Sequence, residues 1–227
     1  MNKVIGYLVL LWCLVYLPPR GVVAQPPRSE APDSQTQPII DSAMTEAEAF
    51  AGLDPACPPE VRARQKLVTV TYFGFDDKLH QGQLVIDQQL EQDIQEIFRI
   101  ARECRFPIQS VIPISHPQFR RNGRWDDDLS MQANNTSAFN YRVIAGTTRL
   151  SNHASGRAID INPMQNPYVR GDYISPKGAA YNPQAHGTLT AEHPLTRAFR
   201  QRGWDWGGTW ETRQDYQHFD KPRIAEE

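Results

Sequence analysis

The chain has 227 residues and a formal net charge of −2, with a sequence pI near 6.3. That balance gives no electrostatic case for a nucleic-acid partner. The length suits one ordinary domain plus a tail, enough to bury a real core.

The first stretch has Lys3 in a short polar start and then an apolar run from Val4 to Leu17. A bilayer-spanning helix needs about 20 such residues, so this run reads as a signal-peptide core. Val22, Val23 and Ala24 offer the modest side chains that a signal peptidase reads, and cleavage is expected after Ala24. An uncleaved N-terminal anchor is the alternative. No later apolar run approaches membrane-spanning length, so no membrane span is expected once residues 1–24 are removed. Residues 25–40 are rich in Pro, Ser and Gln. They bury too little apolar surface to offset ordering entropy, which predicts a flexible linker. Residues 41–227 are then one domain.

Asp41 or Ser42 could cap a short helix through Thr45–Leu53. Leu67 to Phe75 is dense in β-branched and aromatic residues and predicts a strand, with a second over Gly82 to Ile86. Within residues 88–103, Leu90, Ile94, Ile97, Phe98 and Ala101 recur at spacings of three and four, one apolar face of an amphipathic helix. Phe106-Pro107 stops it, and Ile108 to Ile114 returns as strand. The polar segment 115–136 predicts a long functional loop or a short helix. Its Asp126-Asp127-Asp128 run is a solvated acidic turn or a seat for a cationic substrate group or calcium. Asn134-Asn135-Thr136-Ser137 contains glycosylation sequons, which matter only in a eukaryotic secretory host. Ser137 to Ile144 and Ala158 to Asn162 predict strands, 163–190 a loop, Leu195 to Arg202 a helix ended by Gly203, and Tyr216 to Phe219 a last strand. The expected class is α+β, an antiparallel sheet with flanking helices. With Cys13 lost in the leader, Cys57 and Cys104 remain, and export makes a disulfide between them an expectation.

Two segments carry chemistry. Ser151-Asn152-His153-Ala154-Ser155-Gly156-Arg157-Ala158-Ile159-Asp160 supplies an imidazole and a carboxylate, both of which zinc accepts. On one straight strand residues seven apart point to opposite faces, so a turn through Ala154-Ser155-Gly156 is needed. Asp215-Tyr216-Gln217-His218 adds a second imidazole beside a second carboxylate. A catalytic zinc site takes three protein ligands, an open position and a base. His153, Asp160 and His218 are the expected ligands of one Zn2+ ion, with Asp215 the base, placed on a bend just before the last strand. His186 and His193 form a rival metal pair without a third ligand.

The pattern Ser-x-His-x-x-Gly-x-Ala-x-Asp, followed by an acid three residues before a His, resembles the zinc D-alanyl-D-alanine carboxypeptidases. That family includes vancomycin-resistance dipeptidases and phage L-alanyl-D-glutamate endolysins, which share the hedgehog/DD-peptidase fold. The resemblance covers roughly residues 105–221. It implies a zinc peptidase acting on peptidoglycan stem peptides in the periplasm or outside the cell, with either carboxypeptidase or endopeptidase action. Many members carry Glu where this chain has Asp215. The family's upstream arginine, which binds substrate and steadies the oxyanion, is matched by Arg142. Ser151, Trp206 and Trp210 are candidate substrate contacts, the tryptophans because a similar Gly-Trp-x-Trp-Gly-Gly run precedes the acid in related enzymes. A core or pocket-wall role for the tryptophans is the alternative. A non-catalytic zinc module or a peptidoglycan-binding protein on the same fold is the rival function. Oligomeric state is left open.

Overall fold

The structure, a computed structural model, describes residues 37–221. The expected signal peptide, its cleavage site and most of the expected linker lie outside the described residues.

The end of that linker departs from expectation. Ile39–Ile40 (β1) pairs in parallel with His80 and Gln81, and the next backbone amide, of Asp41, donates to the Gln81 carbonyl at 2.8 Å. The short helix Glu46–Ala49 (α1) is capped by Thr45, in a reciprocal box with Glu48. Neither Asp41 nor Ser42 caps it, because both side chains are engaged elsewhere: Asp41 with Tyr72 and His80, and Ser42 with Gln83. Pro59–Ala63 (α2) follows.

The two strands expected over 67–75 and 82–86 are present as Gln65–Phe73 (β2) and Leu79–Asp87 (β3), and they pair as a long antiparallel hairpin, in register from Gln65 opposite Asp87 to Phe73 opposite Leu79. Alternation sends Val68, Val70, Tyr72, Leu84 and Ile86 into the main core. Val85 faces the other way, into a satellite cluster with Ala49, Phe50, Cys57 and Phe139. Glu91–Glu103 (α3) lies on the main-core face, burying Ile94, Ile97, Phe98 and Ala101 as the periodicity predicted. Full burial of each large apolar side chain is worth about 1.5–3 kcal/mol.

The expected disulfide is absent. Cys57 belongs to the satellite cluster, whereas Cys104, the residue ending α3, packs against the main core. The two thiols are thus on opposite faces of the β2–β3 hairpin, with the sheet between them.

The strand expected over 108–114 shortens to Ser110–Val111 (β4). Side chains take the place of ladder partners there: Gln109, Val111 and Ile112 amides donate to Asn162 Oδ1, Tyr72 Oη and Asn135 Oδ1. Segment 115–136 holds a small hairpin, Arg120–Arg121 (β5) with Arg124–Trp125 (β6). It also holds a helix, Asp127–Gln132 (α4), capped by Asp126, and the strand Asn135–Thr136 (β7), parallel to β4. Asn134 and Asn135 are buried and fully bonded, so neither sequon is accessible. Residues 137–144 are not a continuous strand. Their amides turn to different partners: Ser137 to Asp160, Phe139 to Val85 and Asn140 to His153.

Ala158–Asp160 (β8) is central to the second half. Tyr168–Arg170 (β9) and Tyr173–Ser175 (β10) form a hairpin within the region expected to be loop. Pro194–Gln201 (α5) packs Leu195, Ala198 and Phe199 into the main core. Asp205–Trp206 (β11), Gln214–Asp215 (β12) and His218–Asp220 (β13) complete the chain. They give two three-stranded antiparallel sheets, ordered β11-β13-β8 and β10-β9-β12. The class is α+β, with several small sheets in place of one platform. Among the described residues no helix is long and apolar enough to cross a membrane.

Candidate metal centre

Register brings the site together. In the β8–β13 pair, His218 lies directly opposite Asp160, and directly opposed residues of antiparallel strands project to the same face. Phe219 and Ile159, one residue along, point to the other face and are fully buried. Phe219 stacks on Phe199 there, with ring centroids 3.9 Å apart. The apolar residue beside each ligand thus anchors its strand to the core.

His153 reaches the same place through the turn that the spacing demanded. Asn152–Ser155 forms a single 3-10 turn, and Gly156 then adopts a left-handed φ of 67°. A Cβ on Gly156 would stand 1.8 Å from Gln65 Oε1 and 2.8 Å from the Asp87 amide nitrogen. Only glycine fits both the dihedral and the space. The Gly156 carbonyl accepts from the Asp87 amide, tying the motif to the end of β3. Arg157 adds a second tie: its Nε donates to the Lys221 carbonyl and its Nη1 to Gln89 Oε1.

The result is a buried triangle of donors. His153 Nε2 lies 3.2 Å from Asp160 Oδ2 and 3.2 Å from His218 Nδ1, and His218 Nδ1 lies 3.0 Å from Asp160 Oδ1. Zinc–ligand bonds of 2.0–2.2 Å at tetrahedral angles put ligand atoms about 3.3 Å apart. The group fits a single ion of that size, and it is the only such cluster of three among the described residues. The far side of His153 fits too. Its Nδ1 sits 2.6 Å from the Ala138 carbonyl; an N–H there leaves the Nε2 lone pair facing the centre. Behind His218, the Nε2 faces Asp220 Oδ1 at 3.9 Å. Asp220 was not singled out from the sequence, although strand alternation puts 218 and 220 on one face.

Asp215 does not sit on a bend. It ends β12, paired with Tyr168, and Tyr216–Gln217 turn the chain into β13. It belongs to the second sheet and is delivered to the ligands of the first. Gly207 permits this close approach, since a Cβ there would lie 2.6 Å from the Asp215 carbonyl oxygen. Asp215 Oδ1 is buried without a hydrogen-bond partner.

Electrostatics separate the two carboxylates. Burial opposes the charge on Asp160, but His153 and His218 outweigh it and hold that carboxyl well below the usual range. Burial pushes Asp215 up to about 6, against the pull of His218 and with the help of Asp160. Burial disfavours the charged form of His218, yet Asp160 chiefly, with Asp215 and Asp220, lifts it to about 9.

The other expected residues separate clearly. Ser151 is buried, and its Oγ accepts from the His153 amide, capping the turn. Trp206 is a core residue whose indole donates to the Tyr216 carbonyl, so it holds the turn after Asp215 and offers no groove surface. Trp210 is half-buried, its ring 5.6 Å from that of His218 and 4.7 Å from the Arg213 guanidinium, at the edge of the site. Arg142 is paired with Asp127 at 2.7 Å. His186 is exposed while His193 caps α5 and packs edge-on against Phe106, so the rival metal pair does not form. Asp126 caps α4, Asp127 is engaged, and Asp128 is exposed.

Residues 145–221 match the sequence model of a D-alanyl-D-alanine carboxypeptidase family. The match bears out the resemblance drawn from the two motifs, spans less than half of the chain, and contains His153, Asp160, Asp215 and His218. Arg142 lies just outside it. No curated protein and no solved structure matches the chain.

Proposed function

We propose that this chain, whose residues 145–221 match the D-alanyl-D-alanine carboxypeptidase family, is a zinc-dependent metallopeptidase. It hydrolyses amide bonds in peptidoglycan stem peptides, with cleavage of the D-Ala-D-Ala type favoured. The observation that carries this reading is the buried triangle of His153, Asp160 and His218 together with Asp215, whose Oδ1 is out of solvent contact without a hydrogen-bond partner and whose charge acts on the same group. A purely structural metal site has no use for an additional buried carboxyl, and keeping one costs stability. That argues against a non-catalytic module on the same scaffold.

In this reading His153, His218 and Asp160 would hold one zinc ion, which would supply a lowered water pKa and polarisation of the scissile carbonyl. Asp215, whose carboxyl is raised above the usual range by burial, is the group that would take a proton from the attacking water and pass it to the leaving amine. Arg142 orients the carbonyl and steadies charge that develops on its oxygen. Trp210 walls the substrate groove, and Ser151 acts through the turn that carries His153.

Residues 37–221 form one peptidase domain of the hedgehog/DD-peptidase kind, since β1 joins the sheet of β2 and β3. The expected leader sequence and the proposed substrate both support action in the periplasm or outside the cell. Mass spectrometry of products from defined muropeptides, with zinc and then with a chelator, tests the whole reading. Released peptides that vanish on chelation are expected, and the product masses name the bond. Intact muropeptides under all conditions, or products indifferent to chelation, overturn it.

A further inference from the structure

The acidic run 126–128 stood out in the sequence, and the metal centre does not use it. We propose that Asp127 is a positioning residue for the peptidase reaction, acting by fixing the guanidinium of Arg142 and the segment that carries it; this rests on the peptidase reading above.

Asp127 is the first residue of α4, and both of its carboxylate oxygens are committed to the segment beside the metal ligands. Oδ1 accepts from Asn140 Nδ2 at 3.0 Å, and Oδ2 pairs with Arg142 Nη2 at 2.7 Å. That segment is the outer support of His153. The Ala138 carbonyl lies 2.6 Å from His153 Nδ1, the Asn140 amide donates to the His153 carbonyl at 3.1 Å, and the Arg142 carbonyl accepts from the Ser151 amide at 3.0 Å. One carboxylate therefore grips two side chains of a strip whose backbone is bonded to the first metal-binding motif.

The guanidinium has little else to hold it. Nη1 makes only a 3.5 Å contact with the carbonyl of adjacent Val143, and Nε is buried without a partner. The Asp127 pair is half-buried on both sides, where an arginine–carboxylate contact is less screened than at the open surface. An arginine side chain has four rotatable bonds, and one strong contact at its far end selects among its rotamers. Asp127 thus decides where the fork points. The neighbouring acids do other work: Asp126 caps the helix and pairs with Arg121, and Asp128 is exposed.

The test compares Asp127→Asn, Asp127→Glu, Arg142→Ala, the Asp127→Asn/Arg142→Ala double variant and Asp128→Asn as a control. All are full-length and zinc-loaded, and are assayed on the muropeptide that the wild-type protein cleaves. Zinc content and urea midpoint are measured in parallel. Asp127→Asn is expected to lower kcat about 10- to 100-fold, the scale of a misplaced transition-state contact, with KM little changed and zinc content unchanged. Asp127→Glu should recover part of the loss, and Asp128→Asn should match wild type. In the Arg142→Ala background the Asp127→Asn change should cost almost nothing further, since coupled residues are not additive. Full kcat in Asp127→Asn, or the same fold-loss with and without Arg142, overturns the proposal.

A nitrogen–proton correlation spectrum of the arginine side chains gives a second readout that needs no turnover. The Arg142 Nε–H signal, assigned by its loss in Arg142→Ala, should be dispersed in wild type and collapse to the free-arginine position in Asp127→Asn. Wild-type protein that cleaves nothing refutes the peptidase reading. An Arg142 signal that ignores the Asp127 substitution refutes the positioning role whatever the activity.

Discussion

Gly156→Ala puts a methyl group where the fold has left no room, and its cost can be worked from the geometry. Gly156 has φ of 67°, a left-handed conformation that costs an L-residue about 1–2 kcal/mol. The added Cβ would stand 1.8 Å from Gln65 Oε1 and 2.8 Å from the Asp87 amide nitrogen. Gln65 cannot swing away freely, because its Nε2 donates to the Val61 and Ser155 carbonyls at 3.0 Å each. Overpacking of this kind costs about 1–3 kcal/mol, so a total of about 2–5 kcal/mol is expected. Gly156→Ala should therefore lower the urea midpoint clearly, measured with a chelator present so that metal binding does not add to the stability of the folded state. Gly146→Ala is the control: its φ of 73° is as unfavourable, but nothing lies within 4 Å of its Cβ, so only the dihedral cost applies. Because Gly156 lies between His153 and Asp160, the same variant should weaken zinc binding about 10- to 100-fold, the scale of a disturbed support around a ligand. Equal urea midpoints for the two alanine variants would refute the claim that close approach, beyond backbone dihedral alone, fixes glycine in this motif.

Asp215→Ala should keep one zinc per chain and lose about 10²–10⁴-fold in turnover; activity close to wild type removes it as the base. Cys57 and Cys104 should both alkylate in denaturant without reductant, and a mass showing an intact bridge would contradict their separation by the hairpin. His80 sits between Asp41 and Asp76, at 3.0 Å from each. Burial opposes its charge, but the two carboxylates outweigh that and raise its pKa. A raised folded pKa means that the extra stability is complete below the unfolded value, about 6.5, and disappears as pH rises through the folded one. His80→Gln should thus be destabilising at pH 5.5 and much less so at pH 9; a loss independent of pH would show that the clasp does not act through charge.

The sequence was most informative where one physical rule acted alone. The face of α3 followed from three-and-four spacing because nothing but the core selects it, and strand β2 followed from its β-branched run, though its pairing with β3 did not. The turn after His153 followed from the need to bring residues seven apart onto one face. What the sequence hid depended on partners distant along the chain. Residues 137–142 have strand-like composition, yet their amides serve Asp160, Val85 and His153 in succession, and no local pattern encodes three partners. Asp215 looked like part of the last strand's approach, whereas it belongs to a different sheet through Tyr168. The cysteine pairing failed for a related reason. Residue count and compartment argue for a bridge, but only the alternation of Leu84 and Val85 across the hairpin shows that the two thiols face apart. Trp206 and Trp210 carry the same side chain four residues apart in one run, and only burial distinguishes a core strut from a residue at the site's edge.

The proposed assignment of Asp160 as ligand and Asp215 as base, and not the reverse, is supported by their surroundings. Asp160 is buried and Asp215 half-buried with its Oδ1 out of solvent contact, so desolvation pushes both toward the neutral acid. Asp160 escapes that push because both of its oxygens face imidazole nitrogens, at 3.0 and 3.2 Å, and imidazoles that carry a proton there hold the carboxyl in its ionised form. Asp215 has no such partner on Oδ1, feels the negative charge of Asp160, and comes to rest near 6, where a proton can be both taken and returned. Two acids of one kind are thereby driven apart in proton affinity by position alone, which is how one pocket obtains separate ligand and acid–base groups. The position of Asp215 is set in turn by the main chain: an aspartate is one methylene shorter than glutamate, and the missing Cβ of Gly207 lets the end of β12 lie close against the turn that follows Trp206. Gly207→Ala would push that strand end away, since the new methyl would meet backbone 2.6 Å off.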